Sequence, residues 1–356
     1  LKLLNKFIIT KHFKMETLAS VMESLRPQEY TASIDLEDAY LHIPMHPDVF
    51  HLFRFEVAGV VYQFEVLPFG IATAPHLFTK MMRPILGELH RQGAAAHAYI
   101  DDWLLRDASP DVLVDNVRKT FLIFKDLGVG VNQPKSRLEP ARQFQFLGAT
   151  LDLDAFTAKP SPERVANIVE AIESLAPSPM MSARALCQII GQLDSAAALV
   201  PMGRWRVRPF HWFRHRNWIR NHGYEVLLVT SLIPRNSLRW WADEENLLQG
   251  VPVHDPQPEL HLFTDASMEG WGGYVGAHVA SGLWSNSETE LHINVLELRA
   301  VFLSLERLLP FVTDHVVAVM SDNTTTVAYP RRGGGTHSHS LHQEVSRIFE
   351  LCLEWK

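Results

Sequence analysis

The stretch AHAYIDDWLLRD, residues 96–107, restricts the fold more than any other segment. Ala98, Ile100, Trp103, Leu104 and Leu105 favour burial, yet Asp101 and Asp102 interrupt them. Adjacent carboxylates repel one another and resist desolvation. An antiparallel hairpin reconciles the two demands, with apolar flanks inside and the acids at the turn. On these residues alone the tip is either a plain acidic turn or a seat for a cation, and both readings stand.

The surrounding sequence supplies the rest of a sheet. YTASIDL reads as a strand ending in Asp35, and HLFRFEVAGVVYQFEVLPFG reads as a hairpin turning at Ala58-Gly59. In TAPHLFTKMMRPILGEL, Leu77, Met81, Ile85 and Leu89 recur four apart, the spacing of a helix face. SPDVLVDNVRKTFLIFKDLG has Ser109 as N-cap, Pro110 in the first turn and Gly128 as the stop. RQFQFLGATLDL returns to strand character. This order predicts an α+β domain built on an antiparallel sheet. Strand ends are rigid mounts, so Asp35 and Asp101 on neighbouring strands can bring hard oxygen ligands together, a set suited to Mg²⁺.

From about Thr157 the pattern turns helical. Ser161-Pro162 opens a helix with Val165, Ile168, Ile172 and Leu175 on its apolar face, Ser182 caps a second, and RNSLRWWADEENLL reads as a third. GVPVHDPQPEL, residues 250–260, has the composition of a linker. Beyond it ELHLFTDAS, GWGGYVGAHV and SGLWS read as three strands, NVLELRAVFLSLERLL as a helix and HVVAVMSDN as a fourth strand. That is a separate small α/β domain, with Asp265 ending its first strand, Glu297 on its helix and Asp322 ending its fourth strand. Glu297 taken alone reads as a solvated helix acid, and the three acids together favour a metal site.

A chain of 356 residues exceeds one core in most folds, and 47% apolar with 21% charged residues is ordinary for globular domains. With no run of 18 apolar residues, no membrane span is expected. Cys187 and Cys352 fit neither a disulfide framework nor a metal spacing, so the expected setting is intracellular, cytoplasmic or nuclear. Leu1 at the start and LCLEWK at the end suggest a fragment of a longer polypeptide. The net charge of −7 argues mildly against a polyanion partner, but its distribution does not. Residues 195–224 contain no acid and carry Arg204, Arg206, Arg208, Arg214, Arg216 and Arg220 among Trp205, Phe210, Trp212, Phe213 and Trp218. Lys2, Lys6, Lys11 and Lys14 form a second basic block. The first block reads either as a phosphate track or as core tryptophans beside a solvated arginine face. RRGGGTHSH, with Arg331, Arg332 and His337, reads either as a substrate loop or as plain flexible chain.

SIDLEDAYLHIPM, YQFEVLPFGIATAPHLF, YIDDWLL and FQFLGATL resemble, in order and spacing, the palm motifs of retroelement reverse transcriptases. Together with LKLLNKFI and LFTDASMEGWGG…INVLELRA, they are most similar to DIRS-type retrotransposon polymerases, and FTDAS…NVLELRA…MSDN resembles a ribonuclease H domain. The resemblance implies an α+β right-hand palm and partial fingers over 1–155, a helical thumb-like region over 156–225, a connection and linker over 226–258, and a truncated ribonuclease H-like α/β domain over 259–356. It makes Asp35 and Asp101 metal ligands with Asp102 as third carboxylate, and the Leu36 carbonyl a further ligand. Tyr40 would lie under the nucleotide sugar and exclude a 2′-hydroxyl. Phe69 and Gly70 would flank nucleotide and template, and Phe146, Leu147 and Gly148 would form the primer grip. Asp265, Glu297 and Asp322 would hold two ions for cleaving the RNA of a hybrid. The implied cofactor is Mg²⁺, two ions per site, with Mn²⁺ as a substitute. The implied partners are an RNA or DNA template, a primer strand, dNTPs and an RNA–DNA hybrid, with no membrane. The triphosphate-binding basic residues are expected before Leu1, and a fourth ribonuclease acid beyond Lys356. Two rival readings are a degenerate retroelement copy that binds nucleic acid without catalysis, and a nuclease with a vestigial palm.

Overall fold

In the computed structural model, which describes residues 1–175, 180–218 and 223–355, the acid-bearing hairpin belongs to a four-stranded antiparallel sheet. The chain divides into two units, Leu1–Ala158 and Lys159–Lys356.

In the first unit, α1 (Leu18–Ser24) leads into β1 (Tyr30–Asp35), capped by a Thr17–Ser20 capping box. The hairpin of β2 (Arg54–Val57) and β3 (Val60–Gln63) turns at Ala58 and Gly59, both at positive φ. Then follow α2 (Ala74–Arg91), β4 (Ala95–Tyr99), β5 (Asp102–Asp107) and α3 (Pro110–Asp126). The unit closes with β6 (Arg137–Ala141) and the hairpin of β7 (Gln143–Phe146) and β8 (Ala149–Asp152). The sheet order is β4-β5-β1-β6. Ile34 faces Trp103 and Ala32 faces Leu105 across β1 and β5. Since side chains alternate along a strand, these four share one face. They are buried with Phe78, Met82 and Leu89 of α2 and Leu113, Val117 and Phe124 of α3. The Trp103 ring meets Phe124 edge-on at 5.1 Å. The helices form there because their apolar residues recur at helical spacing and Ser109 accepts from the Val112 amide. Asp35 and Asp102, being one position along from Ile34 and Trp103, project from the opposite face.

β9 (Thr157–Pro160) lies at the boundary. The second unit begins with α4 (Pro162–Glu173), capped by Ser161, then β10 (Met180–Ser182) and α5 (Ala183–Ala196), capped by Ser182. α6 (Gly203–Asn217), β11 (Leu227–Val229), α7 (Arg235–Ala242), α8 (Glu244–Leu248) and β12 (Val251–Pro252) follow. The helix expected over RNSLRWWADEENLL is thus two helices. Asp243 leaves the helical region at φ −89°, ψ 110°, and its carboxylate caps α8 by accepting from the Glu245 amide. Phe210, Phe213, Leu186, Ile190 and Trp241 are among the buried residues of this helical core.

The last part holds β13 (Leu260–Ala266), β14 (Gly270–Val275), β15 (His278–Leu283), α9 (Ile293–Arg307), α10 (Leu309–Val312), β16 (Val317–Met320), α11 (Thr324–Arg331) and α12 (His339–Glu354). The sheet order is β15-β14-β13-β16, with β16 parallel to β13 and the other pairs antiparallel. The strand expected over GWGGYVGAHV is split at Gly276, whose φ of 57° makes the β14–β15 turn. α9 packs on this sheet, and α12 packs on α9.

Candidate active site

Asp35 and Asp102 are direct cross-strand partners, and Asp101 lies in the turn beside them. Like charges facing one another across a sheet are destabilising, so this placement asks for a counter-charge. The turn itself is constrained. Ile100 adopts φ 55°, a region that β-branched residues avoid.

The acids are mounted by backbone. The Leu36 amide donates to the Asp101 carbonyl at 2.9 Å, and the Asn132 amide donates to the Asp35 carbonyl at 2.8 Å. The Ser136 hydroxyl accepts from the Asp35 amide at 3.0 Å and donates to the Asn132 carbonyl at 2.8 Å. Gly130 accepts from the Glu37 amide and donates to the His42 ring at 2.9 Å. Residues 130–136 are therefore a brace under Asp35 that the sequence reading did not identify. Its signal is the NQPKS turn composition, which announces a loop without saying what the loop holds.

Burial, then the charges of Asp101 and Asp35, push the Asp102 carboxyl up to about 6, while Lys135 opposes. Burial also raises Asp35, with Lys135 pulling it down and Asp101 pushing it up. Lys135 is the exposed cation that both carboxylates feel, and it too went unread in the sequence.

Tyr40 is buried, its ring 5.0 Å from Phe69 and 5.8 Å from Phe78. Burial first, then Asp101 and Tyr99, raise its hydroxyl above the ordinary range. Phe69 is 56% exposed, and Gly70 has φ 91°, which L side chains rarely adopt. Leu36 is buried beside the acids. Phe146, Leu147 and Gly148 are at the β7–β8 turn, where Leu147 and Gly148 both have positive φ, the pattern of a two-residue type I′ hairpin.

In the second unit, Asp265, Glu297 and Asp322 each offer a carboxylate oxygen, all within 4.8 Å of one another. Among the described residues Asp35, Asp101 and Asp102 do not close to that separation. Glu297 is 5% exposed, and its Oε2 is buried without a hydrogen-bond partner. Burial, then Asp265 and Asp322, push its carboxyl up to about 7, against the Ala266 amide. An orphaned buried oxygen among exposed acids of like charge fits a divalent cation better than it fits an apo protein. A cavity of about 560 Å³ runs from Phe263 and Tyr274 over the open sheet face to Asp265 and Asp322. Glu344 is committed elsewhere: it is buried and paired with Arg299 at 2.5 Å and Arg347 at 3.4 Å.

Within the basic aromatic block, Arg204 and Arg216 are exposed, while several of its other side chains pack or bond inside the unit. Val207, Phe210 and Phe213 are core. Arg204 donates to the Arg331 carbonyl, and Arg208 donates to the carbonyls of Gly333 and Arg332. Trp205 donates to the Ser346 hydroxyl at 3.0 Å. Arg206 is held between the Trp205 and Trp240 rings. Arg220 lies outside the described residues. RRGGGTHSH is no free loop. A Cβ on Gly333 would collide with the backbone of Arg204 and Trp205, and one on Gly334 with the His342 ring. Burial, then Arg208 and His339, hold His342 down at about 4.

Residues 1–151 match the family model described as reverse transcriptase (RNA-dependent DNA polymerase). The enzymatic polyprotein of Cauliflower mosaic virus (strain CM-1841) is 23% identical over 339 residues, covering 91% of this chain and 47% of the viral protein. The Transposon Tf2-3 polyprotein of Schizosaccharomyces pombe is 25% identical over 169 residues, 48% of this chain and 12% of that protein. The chain thus spans about half the length of the first relative or less. A foamy viral protease-reverse transcriptase solved with double-stranded DNA aligns with TM-score 0.58 at 17% identity, over 99% of this chain and 60% of that one. A foamy viral protease-reverse transcriptase solved with an RNA/DNA hybrid gives 0.53 at 18%, over 94% and 44%. Residues 1–151 carry a reverse transcriptase domain with viral and retrotransposon polyproteins among its relatives. The fold is α+β, polymerase palm and fingers followed by a ribonuclease H-like domain. Among the described residues no helix is long and apolar enough to cross a membrane.

Proposed function

We propose that the chain is an RNA-directed DNA polymerase with an associated hybrid-cutting ribonuclease, from a DIRS-type retroelement. On this reading residues 1–155 are fingers and palm, 156–225 thumb-like, 226–258 connection and 259–356 ribonuclease. The observation that carries the polymerase reading is the cross-strand pair Asp35–Asp102 with Asp101 in the adjoining turn, on the face of the sheet opposite its packed helices.

Asp35, Asp101 and Asp102 would hold Mg²⁺, or Mn²⁺ in its place. Held there, the ions would supply Lewis-acid activation of a primer 3′-hydroxyl and neutralise phosphate charge. The residues of the chain do the positioning. The 130–136 brace and the strained Ile100 turn fix the carboxylates before substrate arrives, so little reorganisation is left for the reaction. On this reading the Tyr40 ring, packed against Phe69 and Phe78, would lie under the sugar of the nucleotide and exclude a 2′-hydroxyl. The β7–β8 turn is suited to a primer strand. Asp265, Glu297 and Asp322 form the second metal-binding set, for water attack on the RNA strand of a hybrid. Neighbouring folds were solved with double-stranded DNA and with an RNA/DNA hybrid, which supports the nucleic-acid partners.

Primer extension on RNA and DNA templates with dNTPs and Mg²⁺ tests the reading. The wild-type chain should extend, and Asp101→Asn should lose at least a thousandfold in rate, as expected when a metal-holding carboxylate is removed. Extension by Asp101→Asn at the wild-type rate would overturn the assignment. A wild type that retains hybrid on a filter without extending it would mark a binder only.

A further inference from the structure

The loop that carries Phe69 and Gly70 is anchored at its ends. Leu67 and Ile71 are buried, and the Leu67 amide donates to the Ile43 carbonyl at 2.8 Å. Between them the chain turns through Gly70 at φ 91° and presents the Phe69 ring outward. The Asn5 side chain, from far along the sequence, reaches this turn. The Asn5 amide nitrogen donates to the Gly70 carbonyl at 2.8 Å, and its oxygen accepts from the Ala72 amide at 2.9 Å. The two bonds use the amide's donor and acceptor together, so the side chain fits only one setting of residues 70–72. Asn5 is itself held in a short helical turn, its own amide donating to the Leu1 carbonyl at 2.9 Å.

From this geometry we infer that Asn5 is a positioning residue for nucleotide selection. The inference rests on the polymerase reading given above. The clamp sets where Gly70 lies, Gly70 sets the Phe69 ring, and the ring packs on Tyr40 at 5.0 Å. Asn5 touches no substrate; it acts through Phe69 on the surface that receives the sugar. Loss of the clamp lets Phe69 drift from Tyr40, so nucleotide fit suffers while the Asp35–Asp101–Asp102 mount is untouched.

The test uses the full chain and two variants, Asn5→Ala and Asn5→Asp. Asn5→Asp keeps the acceptor for Ala72 but sets an oxygen against the Gly70 carbonyl. Both variants should raise KM for dNTP about tenfold, the scale of one or two lost hydrogen bonds, with kcat changed less than threefold. Discrimination against ribonucleotides should fall in the same variants. Hydrogen exchange supplies a readout independent of activity: the Ala72 amide should exchange faster in Asn5→Ala, with β1 and β5 amides unchanged. Unchanged exchange at Ala72 overturns the clamp. Faster exchange with KM and ribonucleotide discrimination both at wild-type values overturns the role in selection. A wild type inert on every template overturns the polymerase reading and the nucleotide role with it. An active wild type with unaltered variants overturns the role alone.

Discussion

Replacing Glu297 with glutamine should make the metal-free protein more stable at pH 8. Glu297 is 5% exposed, one of its oxygens has no partner, and Asp265 and Asp322 stand within 4.8 Å. Its carboxyl therefore sits at about 7 instead of the ordinary 4.5. The folded chain holds this proton to higher pH than the unfolded chain does. The associated stability is whole below about pH 4.5 and drains away as pH climbs to about 7. By pH 8 the full shift costs on the order of 3 kcal/mol, and about 2 kcal/mol once water around the exposed Asp265 and Asp322 screens their share. Glutamine has nearly the same shape and carries no charge. Urea unfolding followed by tryptophan fluorescence, in EDTA at pH 5 and pH 8, reads the effect as variant minus wild type. The difference should grow by about 2 kcal/mol between the two pH values. Added Mg²⁺ should stabilise the wild type at pH 8 and the variant much less. A difference independent of pH, or a variant weaker than wild type at pH 8, would refute the account of a strained carboxylate waiting for a cation.

Trp103→Ala removes the largest fully buried side chain of the palm hairpin and should cost about 3–5 kcal/mol in the same unfolding assay, with extension lost in parallel. Gly333→Ala drives a methyl group into the Arg204–Trp205 backbone and forces alanine to φ 65°, so it should cost about 2–4 kcal/mol. Gly59→Ala, also at positive φ but with open space around it, should cost about 1 kcal/mol, so equal losses at 59 and 333 would remove the packing argument.

Much of this architecture could be read from local pattern. Ser109, Ser161 and Ser182 mark helix starts because a hydroxyl before an apolar run has one good use, and each accepts the expected amide. The acids of the palm stood out because carboxylates inside YIDDWLL contradict their neighbours. What pattern could not supply was partnership across long sequence distances. Ser136 lies 101 residues from Asp35 and Asn5 lies 65 from Gly70, and nothing local to either residue names its partner. The arginines of α6 misled for a related reason. Charge next to aromatic residues suggests a ligand surface, whereas Arg204 and Arg208 spend donors on carbonyls 124 to 127 residues away. The break at Asp243 was hidden by composition, since every flanking residue is helix-compatible and only the cap decides.

The union of α6 with the Gly-rich turn and α12 also bears on modularity. Residues 250–260 have the proline content of a spacer, and a spacer is where a chain would ordinarily be severed to isolate a module. Here the contacts that matter bypass it. A piece beginning at 259 would leave the 331–333 carbonyls and the Ser346 hydroxyl without the donors of Arg204, Arg208 and Trp205. The ribonuclease-like part has thus given up severability: its boundary in sequence is not its boundary in space.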